Sequence, residues 1–322
     1  MTARVLSIGA ATQDILLQGG AAFKPWHHKG VDYERLPLGS KLEVENVMFS
    51  TGGGACNAAV TFARQGLHSM FMGTIADDPA GHAVLKALDD DDVDTVQISY
   101  DEKYGTGYST ILLAPNGERT VMVYRGASGY YQKKNFNLKD VAADWIYLSS
   151  MAGKMEVIEY IISQAAEKNI KVAWNPGGGE LKQPAKVKAL LEDVEVLILN
   201  KEEMQLLVEG NSTEELARHA LNYVPTVIVS DGPHGAVAAH NEKLVKAAMY
   251  EDVKVIDRLG AGDAFGSGFV TRIAQDRSLE DAVTFASANS TSVVTKIGAK
   301  AGILHANAHI HDMPLEVKEL QK

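Results

Sequence analysis

A carboxylate follows directly on a glycine turn in Asp257-Arg-Leu-Gly-Ala-Gly-Asp-Ala-Phe265, where Gly260, Ala261 and Gly262 precede Asp263. The apolar run Val253–Ile256 comes before it, and Phe265, Phe269 and Ile273 recur after it at helical spacing. The expectation is a strand that feeds a glycine turn opening a helix. N–H groups at such a turn lack partners inside the helix and sit at the positive end of its dipole. They suit an anion whose charge grows during a reaction, and the adjacent carboxylate would take the proton of an attacking hydroxyl. Together the parts suit phosphoryl transfer to an alcohol. An ordinary helix start with Asp in its first turn fits the same residues. Two commoner phosphate motifs are excluded. Phe265 stands where the dinucleotide fingerprint needs its third glycine, and no Lys-Ser or Lys-Thr follows as in a Walker A loop.

Four further groups could join this chemistry. Gly52-Gly53-Gly54-Ala-Cys-Asn57 is a second glycine turn, expected to open a helix through Phe62 that ends near Gly66. Its small residues admit a substrate to the backbone, and Asn57 can donate to and accept from a sugar hydroxyl; close helix packing explains them equally well. Asp14, placed after a first strand, can accept from two vicinal hydroxyls or simply occupy a surface turn. Asn200 and Glu203 have capping-box spacing, and Glu203 there can also face a hydrated magnesium ion. Ser230, Gly232 and Gly235 follow another apolar run, at a place where a nucleotide could lie.

The elements that must position these groups read as an α/β fold. Apolar runs at Val5–Ile8, Ser69–Met72, Trp145–Leu148, Lys171–Trp174, Val196–Leu199 and Thr226–Val229 alternate with helical patterns such as Val157–Glu167, Ala185–Leu191 and Thr213–Leu221. That rhythm implies a mostly parallel sheet covered on both faces, with ligands at the carboxyl ends of its strands. Residues 15–51, including the alternating Lys41–Phe49, break the rhythm. So do residues 104–124, which read as a hairpin turning at Pro115-Asn116-Gly117. The expected division is a main domain of residues 1–14, 50–100 and 129–322, and a small β lid of residues 15–49 and 101–128. The lid would exclude water from the site; an edge sheet or a dimer contact is the alternative, and a lid can also dimerise.

Bulk properties narrow the function. A net charge of −10 over 322 residues argues against nucleic acid as a partner. Cys56 is the one cysteine, so no intrachain disulfide forms, and a reducing compartment fits. The start lacks the apolar core of a signal peptide and no run approaches a membrane span, so a cytoplasmic protein is expected. Asp89–Asp92 reads as a solvated helix end, lacking calcium-loop spacing, and His305, His309, His311 and Asp312 as a surface tail.

In its Gly-Gly-x-x-x-Asn block at residues 52–57 and its Asp-x-x-Gly-Ala-Gly-Asp block at residues 257–263, the chain resembles the ribokinase-like, or PfkB, carbohydrate kinases. The block from Gly73 to Gly81 also matches, with Ala76 where glycine is usual. The resemblance implies a three-layer αβα sandwich with a β lid, and ATP-dependent phosphorylation of a small sugar or sugar acid of the ribose, fructose or 2-keto-3-deoxygluconate type. It implies Asp263 as base and the amides of Gly260, Ala261 and Gly262 as the phosphoryl cradle. Asn200 and Glu203 would order Mg2+, and adenine would lie between the Ser230–Gly235 turn and the helix around Asn289. Asp257 and carbonyls around Ala299 would hold K+, although Arg258 and Leu259 replace the threonines of many relatives. Asp14, Gly52, Gly53 and Asn57 would bind the acceptor. Arg125 would hold a carboxylate or hydroxyls, or else pair within the acidic surface. Phe23, Trp26 and Tyr33 would pack the lid or stack on the base of a nucleoside, the alternative acceptor. A homodimer through the lid sheet is expected. A catalytically silent binding protein would lack the base or the anion hole, and both are present.

Overall fold

Alternation along five strands decides the architecture. Val5, Trp145, Tyr147, Ala173, Val196, Ile198 and Ile228 face one side of the main sheet; Leu6, Ile8, Ile146, Leu148, Val172, Trp174, Leu197, Leu199, Val227 and Val229 face the other. Both sets are buried, so each strand must be covered on both faces. In the computed structural model, which describes residues 2–116 and 118–320, helices supply that cover. Gly54–Arg64, Ala261–Ala274 and Leu279–Val294 pack on the first face; Met155–Glu167, Pro184–Leu190 and Thr213–Ala220 pack on the second. The expected αβα sandwich is present.

The main sheet has nine strands among the described residues. From one edge, His68–Met72, Arg4–Ile8, Trp145–Leu148, Lys171–Trp174, Val196–Asn200 and Thr226–Ser230 run parallel. Ala236–His240, Lys243–Ala247 and Leu315–Glu319 continue antiparallel to the other edge. This antiparallel extension corrects one expectation. Val253–Ile256 is not a strand: the position beside Lys243–Ala247 is taken by Leu315–Glu319, and Val255 and Ile256 lie exposed. His305, His309, His311 and Asp312 lie at the surface as read, on a stretch that leads into that edge strand, with Met313 buried and His311 stacked on Tyr250.

A four-stranded second sheet stands apart, in the order Arg119–Tyr124, Gly107–Leu113, Thr12–Gln18, Asn46–Gly52. Asp14 therefore stands on a strand of this small sheet, opposite Ser50 and Ser109, and not at the end of the first strand. The strand foreseen at Lys41–Phe49 starts later, at Asn46; Glu45 N still donates to the Gln18 carbonyl at 2.7 Å, and residues 41–44 belong to no strand. The hairpin register Tyr108↔Tyr124 to Leu113↔Arg119 leaves its turn at residues 114–118; Gly117 lies outside the described residues. The acidic run ends a helix at Asp89 as read, but Asp91 is not solvated. It accepts from Arg64 Nε at 2.6 Å and anchors the C-terminus of Gly54–Arg64.

The helix Ala261–Ala274 lies so near the sheet that a Cβ at Gly266 would meet the Tyr147 hydroxyl at 2.9 Å. Phe269, fully buried on this helix, fixes it to the sheet. Phe269→Ala should cost about 3–5 kcal/mol of folding stability. Urea denaturation monitored by circular dichroism checks this; a loss near zero would mean that this helix is not held by that face.

Candidate active site

Two helix N-termini meet above the carboxyl ends of the parallel strands. Gly54–Arg64 and Ala261–Ala274 pack together, joined by Ser267 Oγ donating to Thr61 Oγ1 at 2.9 Å. At their N-terminal ends Asn57 Nδ2 donates to Asp263 Oδ2 at 2.8 Å. The two glycine turns recognised in the sequence thus converge on one cleft of about 430 Å³. It is lined by Asp14, Gly52, Gly53, Asn57, Arg125, Asn200, Glu203, Ser230, Gly260, Gly262 and Asp263 together.

Close approach explains the first turn. A Cβ at Gly52 would collide with the Asp14 carboxylate, and one at Gly54 would meet Ser149 Oγ and come within 3.2 Å of Asp263 Oδ1. Two carboxylates thus flank the turn, Asp14 from the small sheet and Asp263 from the helix Ala261–Ala274. Asp14 is buried, with hydroxyls of Thr12 and Ser109 as partners, and its burial raises its carboxyl above the usual range. Asp263 keeps one side open to the cleft while protein encloses the rest. Desolvation raises its carboxyl, and the Asn57 hydrogen bond opposes that rise. Asn57 Oδ1 is buried without a partner and so is available to a hydroxyl donor.

The second turn is a cradle of donors. Gly260 has φ +76°, and Ala299 packs against it. Ala261 N is engaged by the Arg258 carbonyl at 3.3 Å, and Ala264 N by the Gly260 carbonyl. The amides of Gly262 and Asp263 bond to no protein group among the described residues, which leaves them free at the positive end of a 14-residue helix. Asp257 behind the turn is buried. It accepts from Leu259 N at 3.0 Å and Gly298 N at 3.0 Å, and forms no ion pair among the described residues.

Asn200 and Glu203 form the capping box reciprocally, at 2.8 and 3.1 Å. Glu203 still lines the cleft, and burial followed by the nearby charges of Glu202 and Asp263 raises its carboxyl. A second carboxylate held against Asp263 in this way fits a divalent cation, with Glu203 as the side chain to order its waters. An adjoining pocket of about 160 Å³ runs from Ser230, Gly232 and Gly235 past Phe265 to Ser287 and Ser290. Asn289 is not part of it. Fully buried, its amide donates to the Ala264 carbonyl and accepts from Leu304 N, on the side of its helix that faces away from the pocket.

Arg125 lines the cleft without an ion pair among the described residues, so the surface pairing considered for it does not occur. Phe23 is buried in its own loop, and Trp26 and Tyr33 belong to an exposed two-stranded hairpin; none lines the cleft. Ser149, Ser150, Asn175 and Gly177 line it unforeseen. Their signal was positional, since each pair directly follows a parallel strand.

The chain belongs to the pfkB family of carbohydrate kinases, whose model matches residues 27–306. It is an ATP-dependent carbohydrate kinase. Ribokinase of Haemophilus influenzae is 27% identical over 290 residues, covering 86% of this chain and 91% of that protein. Fructokinase-1 of Oryza sativa is 27% identical over 305 residues, covering 88% and 91%. Arabidopsis thaliana ribokinase, solved with ribose and ATP, shares the fold at a TM-score of 0.77 and 20% identity, covering 95% of this chain and 97% of that one.

Gly260→Ala tests the second turn. A Cβ there would lie 2.6 Å from that of Ala299, in a left-handed backbone region. The expected outcome is a loss of about 1–3 kcal/mol, read by thermal melting, with ADP release falling at temperatures where the variant stays folded. Unchanged turnover in folded variant would mean that the turn geometry is not used.

Proposed function

We propose that the protein phosphorylates a hydroxyl of a small sugar or sugar acid, with Asp263 as general base. The observation that carries this reading is a recessed carboxylate, bonded to one side-chain amide, beside two unpaired N–H groups at a helix N-terminus. The acceptor would lie over Gly52 and Gly53, its hydroxyls held by Asp14, Asn57 and Arg125. Asp263 would take the proton of the attacking hydroxyl. The free amides of the second turn would stabilise charge gathering on the transferring phosphoryl group, which makes positioning and electrostatics the main source of rate. ATP would extend along Ser230, Gly232 and Gly235 into the adjoining pocket. Glu203 and Asn200 would hold Mg2+ through water. When bound, it would neutralise phosphate charge. Asp257, a buried carboxylate without a cationic partner, with carbonyls around Ala299, would hold K+.

The acceptor class follows from what lines the acceptor half. Arg125 offers a planar cation without an ionic partner, and no aromatic ring from the first insert stands there to stack on a nucleoside base. Hydroxyl-rich acceptors, with or without a carboxylate, therefore fit better than nucleosides. The small sheet exposes Phe49, Val121 and Val123, which supports a homodimer through it.

Asp263→Asn should lower turnover about 10³-fold while leaving ATP binding in place. Release of ADP against ribose, fructose, 2-keto-3-deoxygluconate and nucleosides measures it. Turnover near the wild-type rate would overturn the mechanism, and stimulation by nucleosides alone would overturn the acceptor class. A base works deprotonated, so its raised carboxyl in the free enzyme places the acidic limb of kcat/KM above the ordinary aspartate value of 3.8. Asn57→Ala removes the bond that opposes the rise and should move that limb to higher pH; movement to lower pH would contradict this assignment.

A further inference from the structure

Lys300 is buried at 7% exposure yet lies outside the groups that face the reactants. Its ammonium donates to Thr51 Oγ1 and to Cys56 Sγ, the latter at 3.5 Å. Thr51 stands next to the end of the strand Asn46–Gly52 that enters the turn, and Cys56 lies in the first turn of the helix after it. The ammonium therefore bridges both shoulders of that turn. Lys300 makes no ion pair among the described residues, so a costly buried charge is held by a hydroxyl and a thiol alone. A residue kept only for packing would not need that charge.

The loop carrying Lys300 also backs the other turn. Gly298 N donates to Asp257 Oδ2 at 3.0 Å, Ala299 packs against Gly260, and the Lys300 carbonyl accepts from Arg64 Nη1 at 2.8 Å. Residues 298–300 thus touch the supports of both glycine turns, and the lysine side chain crosses from one to the other.

We propose that Lys300 is a positioning residue for the acceptor: its ammonium locks the Gly52–Gly54 turn, whose Gly52 lies against the Asp14 carboxylate, to the loop behind the Asp263 turn. The proposal rests on the reading that Asp14 binds acceptor hydroxyls. Around Asp14, Thr12 on its own strand and Ser109 on the neighbouring strand supply hydroxyls. Lys300 pulls its carboxyl down, Asp257 pushes it up, and Arg125, Glu203 and Asp263 line the same cleft. Burial dominates, so the net direction is upward. Removing the ammonium would carry it higher, and ionised Asp14 would be lost at a higher pH than in the parent.

The test is Lys300→Met, with Lys300→Arg and Asp14→Asn alongside, using whichever of ribose, fructose and 2-keto-3-deoxygluconate is turned over fastest. For Lys300→Met the acceptor KM should rise about tenfold, the effect of losing one charge-assisted interaction, with the KM for ATP within about twofold of the parent. The acidic limb of kcat/KM for the acceptor should move to higher pH, and Lys300→Arg should return it toward the parent position. An unchanged acceptor KM, or equal losses toward acceptor and ATP with an unmoved limb, would overturn the proposal. Should Lys300→Met fail to fold, Thr51→Val keeps the charge and removes one anchor. It should then raise the acceptor KM selectively without moving the limb, and no change in acceptor KM would again overturn the proposal. Asp14→Asn separates the two layers. If it leaves the acceptor KM unchanged, the acceptor site itself is misplaced; if it raises that KM while Lys300→Met does not, only the role of Lys300 fails.

Discussion

The hydrogen bond from Asn57 Nδ2 to Asp263 Oδ2 joins the two glycine turns, and the rest of the site is arranged around it. The bond exists only because two helices start at the same point. Gly54–Arg64 brings one N-terminus and Ala261–Ala274 the other, and side chains as small as Ala58 and Gly266 let both lie close to the sheet and to each other. With both positive dipole ends directed at one cleft, an acidic protein can gather negative charge there despite its net charge of −10. The carboxylates in the cleft oppose this. Burial raises the carboxyls of Asp14, Glu203 and Asp263 alike, and a cation bound among them would oppose that rise.

The parallel strands explain why the groups meet at one edge of the sheet. Each strand from Arg4–Ile8 to Thr226–Ser230 ends on the same side, and the residue just past its end is available to a ligand. Ser149 and Asn175 lie just past their strands, Asn200 and Ser230 at the last position of theirs, and all four line the cleft. Beyond Thr226–Ser230 the adjoining pocket is lined by the residues that flank the antiparallel strands, Gly235 just before Ala236–His240 and Ala248 just after Lys243–Ala247.

What the sequence made legible was local. Buried strands announce themselves by β-branched runs, and a glycine turn followed by helical spacing needs no distant partner to be read. The misses all depend on partners far away in the chain. Val253–Ile256 has the composition of a strand, but a strand needs a free edge, and Leu315–Glu319 holds it. Asn289 lies in the correct helix and near the correct pocket; its rotation about that helix, fixed by Ala264 and Leu304, turns its amide away. Lys300 carries no motif at all. Its environment comes from Thr51 and Cys56, more than 240 residues earlier, and nothing in the neighbouring residues encodes a buried ammonium.

The same distance argument changes how the small sheet is understood. Composition alone casts it as a cover over a site built elsewhere. Yet Asp14 and Ser109 stand on two of its strands, and Arg125 directly follows a third. In the proposed reaction these residues contact the acceptor, while the phosphoryl cradle and the base belong to the main sheet and its helices. In that reading acceptor and phosphoryl donor would be held by different layers, joined at the Gly52–Gly54 turn where the strand Asn46–Gly52 of the small sheet passes into a helix of the large one. A movement of the small sheet would displace Asp14 relative to Asp263. Closing over the acceptor and aligning its hydroxyl with the proposed base would then be one motion, and a cleft left open would also be one in which attack by water is misaligned.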